Sequence, residues 1–244
     1  MEKIKFTNIK DVINYKNYGN GRLFGFELEV EKDTNLSNEE LINIIGKNRE
    51  WLYFMEEPSL IDGFEIISHP CSIEFLKDNL PKLLEELSKL GLKSYYTAGL
   101  HFHVSREVFG TKEEQPIKIG NLIQLIHNNF AYIKDKCGRE IDTKYSKNWK
   151  LKKTVQQLNE ENPLFLGSNK NTNNIQYTKA ILKKDYSTPK GREEVRNKPI
   201  NLLKKKTVEF RLPQSTLDYN TFMDRLNLYN DLINLALADL PFQK

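Results

Sequence analysis

The stretch Phe24-Gly25-Phe26-Glu27-Leu28-Glu29-Val30-Glu31 alternates apolar and acidic residues from Phe26 to its end. A β-strand turns successive side chains to opposite faces, so Glu27, Glu29 and Glu31 share one face and Phe26, Leu28 and Val30 the other. Side chains two apart on a strand are spaced roughly 6.5 to 7 Å, and three anions at that spacing repel one another. In water such a face is an ordinary solvated edge of an antiparallel sheet. Turned toward protein it needs cations, and divalent metal suits a file of oxygen ligands.

Two later stretches repeat the design with complementary chemistry. In Gly99-Leu100-His101-Phe102-His103-Val104-Ser105 the imidazoles of His101 and His103 alternate with Leu100, Phe102 and Val104. In Thr207-Val208-Glu209-Phe210-Arg211-Leu212 a carboxylate and a guanidinium share a face opposite Val208 and Phe210. If the apolar faces of these strands pack on helices, the polar faces line one common surface. Paired metal ions stand about 3.5 to 4 Å apart, which fits between carboxylates one strand step from each other. Each element has a plainer reading too. The two histidines read equally as core or surface residues, Glu209 and Arg211 as a same-face ion pair, Glu65 as a capping or surface carboxylate, and Lys204-Lys205-Lys206 as a solvated turn. His69 and His127 are read as structural.

At 244 residues, with 39% hydrophobic and 11% aromatic content, the chain is long enough to bury its own core without staples. A single domain over residues 1–244 is expected, with its core at 22–240 and a variable region at 135–195. The net charge of +4 is mild and suits a nucleotide better than it suits nucleic acid, which calls for a clustered basic face. Cys71 and Cys137 make no metal-type spacing and nothing upstream of Gly19 resembles a signal peptide, which points to the cytoplasm. No apolar run is long enough to span a bilayer.

Gly19-Asn20-Gly21 forms a turn ahead of the acidic strand. Ser37-Asn38-Glu39-Glu40 followed by Leu41, Ile42, Ile44 and Ile45 predicts a capped helix. Trp51 to Met55 and Phe64 to Ser68 predict a hairpin through Asp62-Gly63. Apolar spacing predicts helices from Ser72 to Leu90, stopped by Gly91, from Ile117 to Ile133, and from Tyr219 to Leu240. Residues 135–175 hold a short helix near Val155 to Leu158 and a polar loop at Ser168 to Asn174, a candidate lid.

Four stretches in this order carry a family resemblance. Phe26-Glu27-Leu28-Glu29, then Asp62-Gly63-Phe64-Glu65-Ile66-Ile67-Ser68-His69-Pro70, then Gly99 to Ser105, then Thr207 to Pro213 with Ser215-Thr216-Leu217, resemble the amidoligase family of carboxylate-amine ligases from about Arg22 to Leu240. The resemblance implies an α+β fold like the glutamine synthetase catalytic domain, a largely antiparallel curved sheet with helices on its outer face. It implies an ATP-dependent ligase that forms an amide through an acyl phosphate, with two or more Mg2+ ions, or Mn2+ in their place. Glu27, Glu29, Glu65, His101 and Glu209 are similar to the family's metal ligands. His103 and Arg211 are similar to residues at the phosphates, with Arg211 on the transferring phosphoryl group, and the catalytic residues the resemblance implies are Arg211, His103 and Glu209. Arg196, Asn201 and Arg139 resemble further nucleotide-site residues. The partners are a carboxylate and an amine, as small molecule, peptide or protein. A divalent-metal-dependent hydrolase and a non-enzymatic nucleotide- or nucleic-acid-binding protein stand as alternatives.

Overall fold

The computed structural model describes residues 15–32, 50–60, 63–139, 198–240 and 242. The helix read at Ser37 to Ile45, the helix near Val155 to Leu158, the loop at Ser168 to Asn174 and Arg196 lie outside the described residues. The fold is mixed α/β, with seven strands and four α-helices among the described residues. None of those helices is long and apolar enough to cross a membrane. Contacts divide the chain into two compact units, Met1–Val104 with Leu212–Arg225, and Ser105–Arg211 with Leu226–Lys244.

The first unit contains β1 (Leu23–Glu31), β2 (Leu52–Glu56), β3 (Gly63–Ser68), β4 (Cys71–Ser72), helix α1 (Ile73–Lys89) and β5 (Leu100–Ser105). Strand β1 lies between β3 and β5, β2 lies outside β3, and β4 pairs with the start of β1. All these pairings are antiparallel. The register sets Tyr53 opposite Ile67, Ile67 opposite Glu27, and Glu27 opposite His101. Directly opposed residues point to the same face. Tyr53, Ile67, Glu27 and His101 therefore make one row across four strands, and Met55, Glu65 and Glu29 make the next.

The reverse face is apolar, because Phe24, Phe26, Leu28 and Val30 fill the positions between the acids and are buried. Phe222, in the N-terminal part of the final helix, meets Phe26 and Phe102 edge-on at 5.3 and 5.4 Å. Such T-shaped pairs add to plain burial. Helix α1 starts where Ser72 accepts the Phe75 N–H at 3.1 Å and ends at Gly91, whose φ of 75° is the left-handed stop read from the sequence. Its Leu76, Leu80, Leu83, Leu84 and Leu87 are buried. The hairpin return at Gly63 requires glycine, since a Cβ there would come within 2.5 Å of the Val30 carbonyl.

The second unit contains helix α2 (Gln115–Asn128), helix α3 (Phe130–Lys136), β6 (Ile200–Asn201) and β7 (Thr207–Phe210). Where the sequence predicts one helix from Ile117 to Ile133, there are two. Asn129 breaks them at φ −115°, its amide side chain donating to the Leu125 carbonyl at 2.9 Å. An Asn that bonds its own backbone competes with helix continuation. The Lys204-Lys205-Lys206 turn of the β6–β7 hairpin is exposed and tied down by Arg106, which donates to the Leu202 and Lys204 carbonyls at 2.7 and 3.1 Å. The closing helix α4 (Tyr219–Ala238) contributes to both units. In the second unit its Tyr229 stacks on Phe210 at 4.3 Å and shares a hydrogen bond with Cys137.

Candidate active site

Alternation on β1 and β5 sets the geometry of the first unit's polar face. His101 Nδ1 lies 3.1 Å from Glu27 Oε2, and His103 Nε2 lies 3.0 Å from Glu27 Oε1. The other ring nitrogen of His101 faces Glu29 Oε1 at 3.8 Å. Glu29 is held from the opposite side, where Gly99 N–H donates to its Oε2 at 2.5 Å and the Ser215 hydroxyl donates to its carbonyl at 2.5 Å. Burial by itself would raise the Glu27 carboxyl. The charge of His103 and the hydrogen bonds from His101 and His103 outweigh it and hold the group well below the usual carboxylate range.

Two groups of potential metal ligands result within the first unit. Glu27, Glu65 and His101 offer donor atoms within 4.8 Å of one another, and so do Glu29, Glu57 and Glu65. Glu65 belongs to both. Glu57 was not selected from the sequence. It follows β2 in phase with Tyr53 and Met55, and the hairpin register puts that phase on the face of Glu65. Counting both arms of the predicted hairpin by twos would have found it. Glu31, read with the other acids, ends the strand half-buried, its carboxylate meeting the Thr97 hydroxyl at 3.4 Å. His69 packs edge-on against Tyr15 and Tyr53 at 5.8 Å and accepts the Lys16 N–H at 3.3 Å.

The second unit holds Glu209, Arg211, Asn201 and Arg139. Glu209 is fully buried, and Asn201, its cross-strand partner, donates to its Oε2 at 2.6 Å. Arg211 donates from Nη1 to Glu209 Oε1. Both oxygens of a carboxylate at 0% exposure are thus bonded, as a buried charge requires. Asn201 also accepts the Leu203 N–H at 2.9 Å. Arg211 is 7% exposed, and its Nε–H has no hydrogen-bond partner among the described residues. A buried guanidinium with a spare donor is equipped for an anion. Arg139 is buried just beyond α3, its backbone N–H donating to the Lys134 carbonyl at 3.2 Å.

An antiparallel sheet face that gathers carboxylates and one imidazole into two overlapping groups defines a protein with a candidate divalent-metal centre. The family model described as "Putative amidoligase enzyme" matches residues 27–232, and the chain belongs to that family. None of the curated proteins compared matches the chain.

Proposed function

We propose that the protein is an ATP-dependent carboxylate-amine ligase on a glutamine synthetase-like sheet. The observation that carries this reading is the place of Glu65 in both ligand groups, since a shared carboxylate between two triads is what a two-ion site asks for. The donors are carboxylate oxygens with one imidazole, which suits Mg2+ or Mn2+ and not thiophilic metals. Glu27, Glu65 and His101 would hold one ion, and Glu29, Glu57 and Glu65 another. When bound, such ions neutralise charge along a phosphate chain.

In this reading a substrate carboxylate oxygen attacks the γ-phosphorus, ADP leaves, and an amine nitrogen then displaces phosphate from the acyl phosphate. His101 orients the Glu27 carboxylate by its Nδ1 contact and faces Glu29 with its other nitrogen. His103 holds the second oxygen of Glu27. Arg211 offers its spare donor to the phosphoryl group, while Asn201 keeps Glu209 in place. Arg139 and Arg196 are assigned to the nucleotide. Cys71 and Cys137 are both buried thiols, and a cytoplasmic setting belongs to this reading.

Calorimetric titration with Mg2+ and a non-hydrolysable ATP analogue tests the reading. Binding that needs both, and that Glu27→Gln abolishes, supports it; nucleotide binding indifferent to metal overturns it. Release of ADP only when a carboxylate and an amine are both present separates ligase from hydrolase.

A further inference from the structure

We propose that Tyr53 and Tyr15 form the subsite that receives the amine substrate as its ammonium ion. The proposal rests on the ligase reading and assigns it a pocket for its second substrate.

Register places Tyr53 in the same cross-strand row as Glu27 and His101, with Glu65 in the adjoining row. Tyr53 is thus on the candidate metal face, at its β2 side, and none of the ligand groups uses it. It is 7% exposed, and its hydroxyl lies 3.4 Å from that of Tyr15, which is 54% exposed. Tyr15 is the solvent-exposed member of the pair and Tyr53 the buried one. His69, edge-on to both rings, fixes them from the side, and is itself held by the Lys16 N–H.

The chemistry of this end of the site selects charge. Burial, the Tyr15 hydroxyl and the negative charges of Glu27 and Glu65 all raise the Tyr53 phenol, so it stays protonated and neutral at working pH. Lys16 is a cation on this side, and its charge acts on His69. The carboxylates of this face are taken up by the metal ions, and an ammonium group meets phenol oxygens and two tyrosine rings, whose faces attract cations. Alkylamines have a pKa near about 10.4, so the substrate arrives as R–NH3+ and must release one proton to solvent before its lone pair can attack. A subsite that gathers the cation beside the acyl group is what that step needs first.

The test uses the full chain loaded with Mg2+ and labelled with 13C-tyrosine, the ring signals being assigned with Tyr15→Phe and Tyr53→Phe. Methylammonium chloride and sodium acetate are titrated separately. Methylammonium should shift the Tyr53 and Tyr15 signals saturably and acetate should not. Tyr53→Leu should weaken methylammonium binding roughly threefold or more while Mg2+ affinity stays unchanged. Tyr15→Ala, at a position 54% exposed, should weaken it as well. A saturable response to acetate instead, no saturation with methylammonium, or full affinity in both Tyr15→Ala and Tyr53→Phe would overturn the subsite. Wild-type protein that binds Mg2+ but no amine sinks this proposal alone; protein that binds no Mg2+ sinks the ligase reading and the subsite together.

Discussion

Replacing Glu65 with Gln separates a shared metal ligand from an ordinary one. Three donor atoms no more than 4.8 Å apart surround a centre that is at most about 2.8 Å (4.8/√3) from each, against roughly 2.0 to 2.1 Å for bound Mg2+, so each ligand moves inward by about 0.7 Å or less. Rotamer adjustment within both triads covers that distance. Changing even an outer-shell partner costs about 10- to 100-fold in metal affinity. Loss of a charged direct ligand should cost at least the upper figure, about 2.7 kcal/mol for each ion. Because Glu65 stands in both groups, Glu65→Gln should weaken both ions, whereas Glu57→Gln should weaken one and His101→Ala the other. Mn2+ titration followed by electron paramagnetic resonance counts the sites, with circular dichroism to check folding. If Glu65→Gln removes a single ion and leaves the other at wild-type affinity, the shared-ligand geometry is wrong.

Arg211→Ala removes a hydrogen-bonded cation from buried Glu209, and losing one partner of such a pair should destabilise the fold by about 3 to 5 kcal/mol in urea denaturation. Adding Glu209→Gln should recover most of that loss, and an uncorrected double variant would show that the cost lies elsewhere. Burial, then the charge of Lys16, lowers the pKa of His69 below its ordinary 6.5. The unfolded chain therefore binds the proton more readily, so stability should fall as pH drops below 6.5 and level off once the folded pKa is passed. His69→Asn should flatten that part of the curve, and an unchanged slope would assign it to other groups.

Alternation made much of this architecture legible, because a period of two has one physical solution when one face must be buried. Phe26, Leu28, Val30, Phe102, Val104, Val208 and Phe210 are core residues for that reason, and Glu27, Glu29 and His101 share the other face. Pairing across strands was not legible, since nothing in Trp51 to Ser68 states which residue of β2 faces Glu65. That is why Glu57 and Tyr53 went unselected, although each sits in phase with residues that were chosen. Local side-chain competition was missed for a similar reason: Asn129 fits an amphipathic helix by polarity, yet its amide bonds to Leu125 and splits the helix. Asn201 was read as a nucleotide contact, and in the fold one amide hydrogen goes to Glu209 and its oxygen to the Leu203 N–H. Residue type and spacing point to a chemistry, and cross-strand register decides which atoms are spent holding the fold and which are left for a ligand. By that measure the Nε–H of Arg211 is the donor to follow, since it is buried, charged and without a partner among the described residues.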